Sequence, residues 1–87
     1  MTSYVAVPAL DELHTDEGGL VLLEHRLVRL GPVGSVIHLA ARRPVTLSGL
    51  TDALLSAFGV PDGDATSLTR EAVDTLVSEG LLVARDG

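Results

Sequence analysis

At Gly31-Pro32 the apolar period of the chain changes, and no single regular element can satisfy the pattern on both sides. After this point Val33, Val36, Ile37, Ala40 and Ala41 recur at i, i+3, i+4, i+7 and i+8, the stripe of a one-sided helix. Proline at the first helical position loses no needed hydrogen bond, Arg42-Arg43 suit the negative C-terminal end, and Pro44 prevents continuation. A helix is therefore expected over about residues 32–41. A second, with Thr46 as its cap, is expected over 47–58, with Leu47, Leu50, Leu54, Leu55 and Phe58 on one broad face and Gly59 and Pro61 ending it. A third, capped by Thr66 or Ser67, is expected over about 67–79, with Leu68, Ala72, Val73, Leu76 and Val77 on its apolar side. Gly80 suits the left-handed position that follows, with Leu81 folding back and Leu82-Val83-Ala84 extended.

Before Gly31 the pattern is that of strands. Val5, Val7, Leu10 and Leu13 lie among polar residues, and Pro8 confines its stretch to an edge or a bulge. Asp16-Glu17-Gly18-Gly19 is a turn signal, because glycine takes a positive φ without steric cost. The runs Leu20–Leu23 and Arg26–Leu30 complete a three-stranded meander between about residues 5 and 30. The 87 residues then form one α+β domain, a three-stranded antiparallel sheet followed by a three-helix, winged-helix-turn-helix-like bundle. Apolar residues make up 46%, nearly all aliphatic, with Tyr4 and Phe58 the only aromatics. Such a core needs neither disulfide nor metal in principle.

Charge and composition narrow the function. The net charge is −6, whereas a chain that binds nucleic acid through phosphates is normally basic. A DNA reader would place residues 67–79 in the groove, and Glu71, Asp74 and Glu79 there would repel phosphate. No apolar run reaches the ~18–20 residues of a membrane span, and Met1–Tyr4 lacks the basic and apolar regions of a signal peptide. With no cysteine, the chain fits a soluble, cytoplasmic protein. Arg26, Arg29, Arg42 and Arg43 form a locally positive strip inside an acidic molecule.

No catalytic constellation is legible. There is no thiolate, no G-x-S-x-G elbow and no phosphate-binding glycine loop. His14, His25 and His38 show no metal-binding spacing and are expected at the surface, His38 half-buried beside the first helix's stripe. No cofactor and no metal are expected. A carrier-protein reading of Ser67 fails because that serine would open the last helix, not the second.

Several segments together resemble a known pattern. Leu22-Leu23-Glu24, then Leu30-Gly31-Pro32-Val33-Gly34, Thr46-Leu47-Ser48-Gly49-Leu50, and finally Val73, Leu76 and Gly80-Leu81-Leu82 are similar, in order and spacing, to the PqqD-like family of RiPP recognition elements. The likeness spans about residues 7–83. It departs from the family at Gly31-Pro32-Val33, where an Asn-x-Ser/Thr is usual, at a shortened turn between strands two and three, and at Leu27 and Val28, where aromatics are common. The resemblance implies a domain that binds the leader of a ribosomally made precursor peptide as an added strand and hands it to a separate leader peptidase and cyclase. The stand-alone leader-binding proteins of lasso-peptide pathways are the most similar kind. On that reading Arg26, Leu27, Val28, Arg29 and Leu30 of the third strand, with Arg70, Asp74 and Val77 of the third helix, contact the peptide. The alternatives are a winged-helix module that binds DNA or a fixed protein partner, and a peptide chaperone of the pyrroloquinoline quinone type.

Overall fold

Pro8 cuts the first apolar stretch into two strands that enter different sheets. The computed structural model describes residues 1–86. β1 (Thr2–Ala6) pairs antiparallel with β5 (Val45–Thr46) on one side and β6 (Leu82–Asp86) on the other, from Thr2 opposite Asp86 to Ala6 opposite Leu82. β2 (Asp11–Thr15), β3 (Gly18–Leu22) and β4 (Leu27–Leu30) form the expected meander, in the order β2-β3-β4. The single sheet read from the sequence is thus two three-stranded antiparallel sheets. Alternation in residues 4–7 marks a strand but not its partner. The extended piece after Leu81 has its own backbone donors and acceptors to satisfy, and β1 satisfies them. Proline lacks the N–H to continue the ladder at position 8. Instead the Ala6 and Val7 N–H groups donate to the Ala41 and Leu81 carbonyls, at 2.8 and 2.9 Å, which pins the crossover to two helix ends.

Three helices complete the α+β fold: α1 (Pro32–Ala40), α2 (Leu47–Phe58) and α3 (Ala65–Ser78). α1 begins at proline with no side-chain cap. Thr46 caps α2 as expected, accepting from the Gly49 N–H at 3.1 Å, and Gly59 follows Phe58 with φ +80°. α3 starts earlier than expected, because Asp64 rather than Thr66 or Ser67 is the cap. Its carboxylate accepts from the Ser67 N–H at 3.3 Å and from the Ser67 hydroxyl at 2.6 Å. A carboxylate at a helix N-terminus also meets the positive end of the dipole, and these hydrogen bonds hold the Asp64 pKa below its ordinary value. At the other end Gly80 has φ +79°. Its N–H donates to Val77 and that of Leu81 to Leu76, the paired bonds of a Schellman motif.

The core lies where all these elements meet. Val21, Ile37, Leu50, Val73 and Leu81 have no exposed surface, and Tyr4, Leu30, Leu76 and Leu82 close around them. Burying one such side chain stabilises the fold by about 1.5–3 kcal/mol. Leu81-Leu82 are therefore central to packing although they lie near the end of the chain. Phe58 and Leu68, read from the sequence as apolar-face residues, remain about half exposed. Among the described residues no helix is long and apolar enough to cross a membrane.

Candidate functional site

The register of the β3–β4 hairpin determines which backbone groups of β4 are free. The Leu23 N–H donates to the Arg26 carbonyl at 2.8 Å, so this closing pair is hydrogen-bonded. Antiparallel pairs alternate between bonded and non-bonded. Val21–Val28 and Gly19–Leu30 are then bonded pairs, whereas Leu22–Leu27 and Leu20–Arg29 are not. The N–H and C=O groups of Leu27 and Arg29 consequently point away from β3. β4 is an edge strand, so among the described residues no further strand takes them up.

Side chains alternate the other way. Val28 is half-buried and Leu30 buried, while Leu27 and Arg29 stand on the outer face. Alongside the free edge runs a groove of about 420 Å³ between β4, the start of α1, and α3. Val28, Leu30, Gly34, Ala72 and Leu76 line it, with Thr75 and Glu79 on the α3 side. Gly34 forms part of its wall, and a Cβ there would make ordinary contacts, at 3.5–3.7 Å, with the Leu30 and Leu76 side chains.

Not every residue expected at the groove lies there. Val28 and Leu30 line it with their side chains, whereas Arg29 borders it and, like Leu27, has its backbone at the edge and its side chain on the outer face. Arg26 is held at one end, its guanidinium donating to the Glu79 carbonyl and lying 3.4 Å from the Glu79 carboxylate. Arg70, Asp74 and Val77 line a different side of α3. The groove takes Ala72, Thr75, Leu76 and Glu79, an i, i+3, i+4, i+7 set, and at 100° per residue the other three fall on the opposite side. Val77 packs against the core, and Arg70 and Asp74 are solvent-exposed. The helical period already contained this division. What it lacked was the second sheet, which takes one flank of α3's apolar stripe and leaves the other for the groove.

The positive strip is also partly neutralised. Arg42 lies 2.7 Å from Glu12, as Arg26 lies against Glu79. Among the described residues Arg29 and Arg43 make no ion pair. On the outer face of the meander Leu13, Leu22 and Leu27 are 40–62% exposed, an unusually apolar face for an uncovered sheet.

The histidines depart most from expectation. His25 is exposed, but His14 and His38 converge and stack with centroids 5.3 Å apart. β2 directs Glu12 and His14 to the same face, and α1 brings His38 against it, 2% exposed. His14 Nε2 lies 3.3 Å from both Glu12 Oε1 and His38 Nδ1, and His14 Nδ1 shares a short hydrogen bond with the buried Ser35 hydroxyl. Gly19 makes room for the ring, since a Cβ there would come within 2.8 Å of His14 Nδ1. Among the described residues His38 Nε2 is buried without a hydrogen-bond partner. Desolvation lowers the His38 pKa below 6.5; Glu12 opposes this, while His14 and Arg42 add to it. The i, i+2 spacing of Glu12 and His14 on one strand face was the available signal, but nothing in the sequence placed α1 over it.

The chain matches no protein-family model, no curated protein and no solved structure.

Proposed function

We propose that this chain is a PqqD-like, non-catalytic adaptor that binds the leader segment of a ribosomally made precursor peptide and delivers it to a separate leader peptidase and cyclase, as in lasso-peptide biosynthesis. The observation that carries the reading is the free edge of β4 beside an apolar-floored groove. Outward N–H and C=O groups of Leu27 and Arg29 offer main-chain pairing, and the groove receives alternate side chains of the incoming strand. Four residues of β4 suit a short extended segment rather than a folded partner. The exposed leucines on the outer sheet face lie apart from the groove, so an enzyme could dock there while the peptide stays bound.

The test is a titration of the purified chain with labelled leader peptides encoded beside it. Thr75→Arg, which fills the groove from α3, is expected to weaken binding tenfold or more. Asp74→Ala, on the far side of the helix, leaves it unchanged. Equal binding by wild type and Thr75→Arg, or cleavage of precursor by the chain alone, overturns the reading.

A further inference from the structure

Three potential ligand atoms from two elements converge on one point. Glu12 Oε1, His14 Nε2 and His38 Nδ1 are separated by 3.3, 3.3 and 4.0 Å. A point equidistant from all three lies about 2.1 Å from each, and zinc bonds to imidazole nitrogen and carboxylate oxygen are about 2.0–2.2 Å long. Ligands of a tetrahedral site at that bond length stand ~3.4 Å apart, close to the two shorter separations. The 4.0 Å between Glu12 and His38 must close by ~0.6 Å, through the part-exposed Glu12 side chain, for the ion to leave the ligand plane and take a tetrahedral geometry. We propose that Glu12, His14 and His38 form a three-ligand site for a divalent transition-metal ion of the zinc class, clipping β2 to α1 and leaving a fourth position for water.

The hydrogen-bond arithmetic of the cluster favours a cation. A carboxylate oxygen only accepts, and each neutral imidazole carries one proton. When His14 Nδ1–H donates to Ser35, its Nε2 lone pair can accept from His38 Nδ1–H, but it still faces the Glu12 oxygen at 3.3 Å, and among the described residues His38 Nε2 is left a buried acceptor without a donor. When Nε2 holds the proton, that one proton lies between Glu12 and His38 and aligns fully with neither. An ion at the centre takes all three lone pairs, and among the described residues the His38 Nε2–H is then the buried donor left without an acceptor. Ser35 then acts from outside the ligand set, fixing the His14 tautomer and ring as hydrogen-bonded partners of metal-bound histidines do. The surroundings are rigid: Ser35 and His38 are each 2% exposed, and Gly19 leaves no slack beside the ring. Entry is from the Glu12 side, which is 25% exposed. The donor set, two imidazoles and one carboxylate, selects zinc, cobalt or nickel over magnesium, which prefers all-oxygen coordination.

Arg42 supplies the internal control. Its guanidinium lies on the same Glu12 oxygen and competes with a metal for it, yet its side chain is 64% exposed and free to swing into solvent. Removing this cation therefore strengthens metal binding, the reverse of its effect on a purely structural ion-pair cluster.

The experiment uses the full chain, free of any histidine tag and stripped of metal. Calorimetric titration with Zn2+ is expected to give one site per chain, and Co2+ the visible spectrum of a low-symmetry four-coordinate ion without thiolate bands; Mg2+ gives neither. Glu12→Gln and His14→Gln each lower Zn2+ affinity tenfold or more. Ser35→Ala lowers it about 10–100-fold, the usual loss for an outer partner, and Arg42→Ala raises it a few-fold. Where His14→Gln fails to fold, Glu12→Gln and Arg42→Ala decide the matter, because both change exposed or part-exposed side chains. No Zn2+ binding by the wild type overturns the proposal. So does binding that is indifferent to Glu12→Gln and Arg42→Ala, which places the ion on His25 or the acidic loops.

Discussion

The Arg26 guanidinium donates to the backbone carbonyl of Glu79, joining the β3–β4 turn to the C-terminal end of α3. That carbonyl belongs to the last turn, where helix acceptors lack intrahelical partners and the dipole favours a cation. The contact thus fixes one end of the groove at the point where β4 and α3 would otherwise drift apart. Both side chains are about half exposed, so the pair contributes little to stability. Arg26→Ala is expected to cost under ~1 kcal/mol in urea denaturation while weakening leader binding a few-fold, mostly through faster dissociation. Unchanged affinity and dissociation rate would show that the groove keeps its width without this contact.

Arg29 tests strand addition itself. Its N–H points away from β3, so Arg29→Pro removes a donor from the free edge without taking a bond from the existing ladder. Folding, followed by circular dichroism and thermal melting, should change little. Leader affinity should fall about tenfold or more, whereas Arg29→Ala, which keeps the N–H, should fall only slightly. Equal losses in the two variants would assign the effect to the side chain and not to main-chain pairing.

Gly18 connects the meander's first turn to the site. Its φ is +135°, and a Cβ there would lie 2.2 Å from the Leu30 carbonyl oxygen, a backbone atom that cannot rotate away. Gly18→Ala is expected to destabilise the fold by about 2–3 kcal/mol and to shift β4 with it. Gly31→Ala meets nothing within 4 Å and has φ −73°, so it should stay within about 0.5 kcal/mol of wild type. Denaturation midpoints of the two variants make the comparison.

These contrasts also show how much was legible in the sequence. The helices were, because each carries its own stop and start: Pro32, the Thr46 cap, Gly59 and Gly80 all act within a few residues of where they stand. The meander was, because Gly18 and the alternation around Val21 are local too. What failed was long-range. β1 pairs with β6 across nearly the whole chain, and neither strand's period names the other. That error carried into the site. Without the second sheet, Arg70, Asp74 and Val77 read as the free flank of α3, when the groove takes Thr75 and Glu79. The Glu12–His14–His38 cluster was missed for the same reason, since β2 and α1 meet only once the meander has folded over the helix.

Salt dependence separates peptide from nucleic-acid binding. The groove floor is apolar, with Arg29 the cation beside it and Glu79 opposite. Exposed ion pairs are worth about 0–1 kcal/mol, so an apolar leader side chain should dominate affinity. Replacing that anchor with alanine should abolish most binding, and raising the salt from low to moderate should change affinity only a few-fold. Duplex DNA should not compete, because α3 exposes Glu71, Asp74 and Glu79. A steep salt dependence together with competition by DNA would favour a winged-helix DNA reader instead.

His38 sets how stability responds to acid. Its folded-state pKa lies below the ordinary 6.5, chiefly because the ring is desolvated, and among the described residues its Nε2 has no hydrogen-bond partner. The charged groups facing it are mixed: Glu12 raises its pKa, whereas His14 and Arg42 lower it. A group whose folded pKa is depressed binds fewer protons in the folded chain than in the unfolded one, so stability rises with pH in the interval between the two values. For this imidazole the contribution is complete above about pH 6.5 and is lost as the pH falls from there towards the folded pKa. In chelator-containing buffer, urea denaturation of the wild type should therefore give a lower unfolding free energy at pH 5.5 than at pH 7.5. The slope from this one group cannot exceed about 1.4 kcal/mol per pH unit. His38→Gln, which keeps a polar side chain but cannot titrate, should flatten that slope, and His25→Gln, at an exposed position, should leave it alone. A His38→Gln variant with the wild-type slope would move the acid sensitivity to another group.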